Sequence, residues 1–140
     1  MRALSGASLK IGGADESGRR TLLFFASPTC PMCKTLLPTV RRAVAGEERI
    51  RFVLASDGDP AEHEAFAREH GLDPASYVLS RELGVRFEVA KLPYAVLIDA
   101  AGIVRAKGLV NTREHVESLF EADRLGVPTI QAHLARGALA

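Results

Sequence analysis

Apolar and polar residues alternate along the chain in blocks whose periodicity predicts strands and helices in turn. The run Arg20–Ala26 (RTLLFFA) is almost continuously apolar and contains β-favouring Phe and Thr, so it predicts a buried strand. After a short interruption, leucines and valines recur at helical spacing. They predict a helix from about Pro31 to Ala45, with Gly46 as its stop.

Two further strand–helix units follow in the same pattern. Arg49–Ser56 (RIRFVLAS) predicts the second strand. The next helix is predicted to begin at Pro60, behind an Asp N-cap, and to end near Gly71. A shorter unit comprises a strand at Tyr77–Leu79 and a helical piece near Arg81–Leu83.

The pattern changes in the last third of the chain. Tyr94–Asp99 and Ile103–Lys107 predict two strands joined by a short Gly-containing turn, which is typical of a β-hairpin. Asn111, with Glu114 three residues later, predicts a capping box at the start of a helix. A weaker helix is predicted from about Thr129 to the C-terminus.

This order of elements predicts an α/β fold. Parallel βαβ units followed by an antiparallel hairpin predict a mixed central sheet with helices on its faces. At 140 residues, the chain 1–140 is predicted to form a single domain. A net charge of +1 gives no electrostatic case for nucleic-acid or polybasic membrane binding. No apolar run is long enough to cross a bilayer, and residues 1–13 lack the apolar core of a secretory signal.

The chain has two cysteines, and they stand three positions apart in the motif CPMC. A disulfide framework would need more cysteines and a structural zinc site would need four ligands, so a local redox pair is favoured. Cys30 is predicted just before the helix, where the partial positive charge of the N-terminus favours a thiolate. Cys33 follows in the first turn. Pro31 suits that turn because a backbone N–H at its position would have no acceptor within the helix, so its absence costs nothing. We therefore expect Cys30 to attack and Cys33 to resolve.

Two other prolines bear on this prediction. Pro38 falls in the middle of the predicted helix and is expected to kink it, unless the helix ends near Leu37. Pro93 begins the hairpin strand, where the loss of one ladder donor is tolerated. The residues alone do not predict a cis peptide bond at Pro93, since such bonds are rare.

Several of these features together resemble the thioredoxin superfamily. They are the strand TLLFFASPT, the motif CPMC, the helix proline and the Leu92-Pro93 pair before the hairpin YAVLIDAAG. The resemblance implies a protein disulfide oxidoreductase without a bound cofactor, in which Cys30 and Cys33 are catalytic. It also implies a cis Pro93 beside the cysteines, with Leu92 and Pro93 where substrate backbone docks. The longer stretch between CPMC and Pro93 looks like the inserted βα element of cell-envelope relatives of the TlpA and ResA type.

A narrower resemblance is to thioredoxin-like proteins of methylamine utilisation. The segments SPTCPMCKTLLP, VLASDGD, KLPYAVLIDAAGIVRAKGLVNTREHVESLFEA and GVPTIQ carry it. It implies a periplasmic location and an N-terminal membrane anchor that this chain lacks. The implied protein substrate is methylamine dehydrogenase, whose small subunit is dense in disulfides. The implied role is that of an oxidoreductase or isomerase which forms or corrects those disulfides, and a separate redox partner protein is implied as well.

One departure from the thioredoxin pattern concerns the proton of the resolving thiol. Phe24 stands where thioredoxins carry a buried acid, and no other carboxylate lies in that strand. Glu88, shortly before Pro93, is one hypothesis for a substitute. No His lies between the cysteines, so the direction of electron transfer stays open.

Two alternatives use the same residues differently. The four histidines, His63, His70, His115 and His133, could join the cysteines in a metallochaperone of thioredoxin fold. Their positions on polar or terminal helix segments instead predict solvated surface residues, so no metal site is expected. The second alternative is a client-binding maturation factor without redox catalysis, which would not need both cysteines.

Overall fold

The computed structural model describes residues 1–11, 18–46 and 50–124. The elements in these ranges are β1 (Arg20–Phe25), α1 (Pro31–Ala45), β2 (Ile50–Ser56), α2 (Pro60–His70), a 3-10 turn (Pro74–Ser76), β3 (Tyr77–Leu79), α3 (Arg81–Arg86), β4 (Tyr94–Ile98), β5 (Val104–Leu109) and α4 (Arg113–Arg124). The predicted alternation of strands and helices is confirmed. The weak helix predicted from Thr129 lies outside the described residues, and the single domain over 1–140 stays a prediction.

The strands form one mixed sheet in the order β3-β2-β1-β4-β5. β1, β2 and β3 are parallel, whereas β4 is antiparallel to both β1 and β5. Alternate residues of β1 face opposite sides, so Leu22 and Phe24 belong to one apolar cluster and Leu23 and Phe25 to another. Helices α1, α2 and α4 contribute to the first cluster, while α3 and the N-terminal segment contribute to the second. The predicted mixed sheet with helices on both faces is therefore confirmed.

Helix α1 continues through Pro38, so the alternative in which it ended near Leu37 is wrong. Pro38 is exposed, and the carbonyl that it leaves without a donor belongs to Lys34, which is exposed as well. Water can therefore satisfy that carbonyl. The buried face of the helix, which includes Leu36 and Val40, is unbroken across the proline.

The start of α4 differs by one residue from the prediction. Thr112 is its N-cap, because the Thr112 hydroxyl accepts the backbone N–H of His115 at 3.1 Å. The backbone N–H of Asn111 donates to Nδ1 of His115 at 3.0 Å. The predicted capping box at Asn111 and Glu114 is therefore wrong. In that box the Glu114 carboxylate would accept the backbone N–H of Asn111, whereas in the structure the His115 ring accepts it.

Candidate active site

Cys30 is the N-cap of α1, and its sulfur faces the first turn of that helix. The backbone N–H of Cys33 donates to Sγ of Cys30 at 3.3 Å. The N–H of Cys30 in turn donates to the carbonyl of Ser27 at 3.1 Å, which holds the loop before the helix. Pro31 occupies the first turn, as predicted from its missing donor.

The two thiols differ in their exposure. Both are free in the structure, but Cys30 is partly exposed whereas Cys33 is only 1% exposed. Burial raises the pKa of Cys33 from its ordinary value of 9.0 to about 12, with the Cys30 hydrogen bond and charge adding to the shift. A backbone hydrogen bond with Ser27 works in the opposite direction. Cys33 is therefore a protonated thiol at neutral pH, and only Cys30 is reachable from solvent.

Two of the causes that raise the Cys33 pKa depend on the state of Cys30. Once Cys30 is covalently bound to another sulfur, it carries no negative charge and is a weaker acceptor for the Cys33 S–H, so both causes weaken. The remaining cause is burial. The Cys33 thiol is therefore easier to deprotonate at the stage at which it would be needed.

Phe24 is fully buried in the same apolar cluster as Cys33, where thioredoxins carry an acid. Its ring centroid lies 6.1 Å from that of Phe52. The buried polar side chains among the described residues are those of Thr21, His63 and Ser118, so none of them is a carboxylate. Within the described chain, no buried acid accompanies the inner thiol.

Glu88 does not fill that role in the structure. Its side chain is 83% exposed, and its carboxylate lies 4.0 Å from the ammonium group of Lys107 on β5. The Glu88 charge raises the pKa of Tyr94, after the larger effect of that residue's own burial. The hypothesis that Glu88 replaces the buried acid is therefore wrong.

The sheet register brings Pro93 to the end of β1 that precedes the cysteines. Tyr94 pairs with Phe25, the last residue of β1, and the carbonyl of Pro93 accepts the N–H of Val110 at 3.0 Å. The Leu92-Pro93 peptide bond is cis, which confirms the expectation drawn from the family. Pro93 itself is buried, whereas Leu92 is 40% exposed. Of this predicted pair, Leu92 is the one whose side chain is open to solvent.

His63 is buried, so the prediction that it is a solvated surface residue is wrong. It is 1% exposed, with Nδ1 2.5 Å from the hydroxyl of Tyr77 and Nε2 2.7 Å from the carbonyl of Asp57. Since a carbonyl can only accept, Nε2 carries a hydrogen, and in the neutral ring Tyr77 donates to Nδ1. The spacing of His63 with the buried Phe66 and Ala67 was the signal of an inward position.

The other histidines do not gather around the cysteines. His70 ends α2 with its ring centroid 4.5 Å from that of Phe66, and His115 lies in the first turn of α4. His133 lies outside the described residues. In the ranges that the structure covers, no three His, Cys, Asp or Glu residues are grouped to hold a metal ion. None of the helices in these ranges is long and apolar enough to cross a membrane.

Residues 9–122 match the family described as thioredoxin-like domain. The chain belongs to that family. Two solved thioredoxin-like structures show the same fold. They are dsbF of Mycobacterium tuberculosis (TM-score 0.69, 19% identity, 89% of this chain and 92% of the other) and StoA of Bacillus subtilis (TM-score 0.68, 21% identity, 87% and 92%).

Curated relatives confirm the narrower resemblance to methylamine-utilisation proteins. The chain is 49% identical to the methylamine utilization protein MauD of Methylobacillus flagellatus over 137 residues, which cover 98% of this chain and 66% of that protein. Four further MauD proteins are 47–50% identical. The chain spans 62–66% of the length of these relatives.

Proposed function

We propose that this thioredoxin-like chain catalyses thiol–disulfide exchange on periplasmic proteins, with Cys30 as the nucleophile and Cys33 as the resolving thiol. The observation that carries the proposal is the unequal environment of the two sulfurs. The outer one accepts a backbone N–H at the start of a helix, which stabilises negative charge on sulfur. The inner one is buried and keeps its proton.

The proposed reaction proceeds in two exchanges. In the reducing direction, the Cys30 thiolate attacks one sulfur of a client disulfide, a Cys30–client bond forms, and the other client sulfur leaves as a thiolate. Cys33 then loses its proton and attacks the Cys30 sulfur. That step forms the Cys30–Cys33 disulfide and releases the second client thiolate, so two electrons pass to the client. The reverse sequence oxidises a client dithiol.

The other predicted site residues would support these steps. Leu92 is exposed at the edge of the sheet that carries the CPMC loop, where it can contact client backbone. Pro93 would fix the course of the chain there, while Pro31 and Pro38 would shape α1 without supplying reacting atoms. No cofactor is needed, because both sulfurs and both electrons come from cysteine residues.

The proposed client is the small subunit of methylamine dehydrogenase, which the family resemblance describes as dense in disulfides. The name of the curated relatives, methylamine utilization protein, supports this assignment. A periplasmic location, an N-terminal membrane anchor outside this chain and a separate redox partner that recharges the cysteine pair belong to the same proposal.

Trapping of mixed disulfides tests the proposal. Cys33→Ser should accumulate an adduct between Cys30 and a disulfide-rich substrate, because the resolving step is lost, and the adduct should disappear on adding dithiothreitol. Cys30→Ser should form no adduct and should lose exchange activity. Normal maturation of the client by Cys30→Ser would instead favour a binding factor without redox catalysis.

The reduction potential of the pair decides the direction. Equilibration with glutathione buffers, followed by alkylation of free thiols, measures it. A value of about −120 mV, as in DsbA, identifies an oxidant, and a value of about −270 mV, as in thioredoxin, identifies a reductant.

A further inference from the structure

A groove of about 330 Å³ lies beside the exchange site, on the α3 side of the sheet. Its floor is apolar and comes from the ends of the central strands, including Phe25, Ala26 and Ala55. Val85 of α3 and Leu92 form part of its wall. The element inserted between CPMC and Pro93 therefore builds one side of this groove.

The groove is continuous with the residues proposed to take part in exchange. Leu92 borders it and is also the exposed member of the predicted docking pair. Ala26 lies in its floor, only four positions before Cys30, and is fixed by a 3.1 Å hydrogen bond from its N–H to the carbonyl of Ala55. A client segment that reaches Cys30 in extended form can thus place a neighbouring side chain in the groove.

The rim of the groove carries an excess of positive charge. Arg81 and Lys91 line it, both are exposed, and neither forms an ion pair with another described residue. The opposing charge among the lining residues is the single carboxylate of Asp57. The backbone carbonyl of Asp57 is held by the buried His63 ring. This hydrogen bond keeps the Asp57 loop at its side of the groove.

From this continuity and this charge we propose that the groove is a specificity subsite for an acidic side chain of the client, close to the cysteine that Cys30 attacks. This inference rests on the proposed exchange function and adds the chemistry of the client segment. The methylene groups of a Glu side chain suit the apolar floor, while its carboxylate can reach the two cations. A Lys side chain at the same position would be repelled by the positive charges of Arg81 and Lys91.

Exchange kinetics with model peptides test the inference. The Cys33→Ser protein is mixed with peptides whose one cysteine is activated as a disulfide, and Glu, Gln or Lys is scanned through the positions on either side. At low ionic strength, the best Glu peptide should react about three- to fivefold faster than its Gln counterpart, and the Lys peptide should react more slowly than either. In about 1 M salt the differences should collapse, because surface charges are screened.

Charge reversal supplies the matched comparison. Arg81→Glu with Lys91→Glu should invert the preference, so that the Lys peptide reacts fastest. Arg42→Glu with Arg68→Glu, which changes the net charge equally at exposed sites outside the groove, should leave the preference for Glu unchanged.

The outcomes separate this inference from the proposed function. Arg42→Glu with Arg68→Glu should leave the reaction with neutral 4,4′-dithiodipyridine unaffected, since that small disulfide needs only Cys30. For every variant, each peptide rate is divided by the rate of the same variant with this disulfide, so that a change in Cys30 reactivity is not taken for a change in peptide preference. Equal rates for the three peptides at low ionic strength, or a preference that survives high salt, would overturn the acidic subsite and leave the exchange function intact. Failure of the wild-type protein to react with the neutral disulfide would overturn both.

Discussion

The buried thiol of Cys33 leads to a quantitative prediction about stability at alkaline pH. In the unfolded chain a cysteine ionises near its ordinary pKa of 9.0, whereas in the folded protein the Cys33 pKa is raised to about 12. Between these values the folded state binds the proton more tightly than the unfolded state does. The stabilisation is therefore fully present below pH 9 and is lost as the pH rises towards the folded value.

The magnitude follows from the proton difference. One proton held only by the folded state lowers the free energy of unfolding by about 1.4 kcal/mol for each pH unit. From pH 7.5 to pH 10.5 the contribution of Cys33 to the loss is about 2 kcal/mol. Burial also raises the pKa values of Tyr77 and Tyr94, which adds to the loss above their ordinary value of 10.0. Comparison with Cys33→Ala isolates the thiol from these tyrosines.

Urea unfolding of the reduced protein, followed by circular dichroism in steps from pH 7.5 to 10.5, measures the effect. Cys33→Ala should change the stability at pH 7.5 by a constant amount and should show a shallower decline above pH 9. Cys30→Ala should give an intermediate slope, because it removes the hydrogen bond and charge while leaving the burial of Cys33. Parallel curves for the wild-type protein and Cys33→Ala would refute the account of the inner thiol.

Three further substitutions test other parts of the structure by the same unfolding assay. Tyr77→Phe should lower the free energy of unfolding by about 1–3 kcal/mol, because the buried His63 ring loses its hydrogen-bond donor. A coupling energy below about 0.5 kcal/mol between Tyr77→Phe and His63→Ala in a double-mutant cycle would contradict this. Phe24→Asp should be several kcal/mol less stable than Phe24→Leu at pH 7, by roughly the cost of burying a charge. The difference between the two variants should shrink as the pH falls, because the new carboxyl group is then protonated. Equal stabilities at pH 7 would contradict the burial of position 24 away from water. Thr112→Ala should lower the free energy of unfolding by about 0.5–2 kcal/mol, because the N-cap of α4 is lost, whereas Asn111→Ala should change it little. A larger loss for Asn111→Ala than for Thr112→Ala would show that Asn111 is the N-cap instead.

Local signals in the sequence were sufficient for most elements of the fold. The apolar run of β1, the spacing of apolar residues in α1 and the prolines that begin α1 and α2 are signals that depend on residues only a few positions apart. The N-cap of α4 was misplaced by one residue, since a histidine side chain was not considered as the partner of a backbone donor. The position of Cys30 before α1 and of Cys33 within it also followed from this local pattern.

The alternation of elements and the chemistry of the CPMC pair could thus be predicted from the amino-acid sequence, because periodicity and capping act within one or two turns of the chain. How deeply each group is buried, and which distant groups come together, depends on the three-dimensional packing of the whole chain. His63 contacts Tyr77 across 14 positions of the chain. Asp57, Arg81 and Lys91 line one groove only because the sheet brings their loops to the same end of its central strands. The raised pKa of Cys33 has the same origin, since desolvation depends on the packing of the whole core around the sulfur.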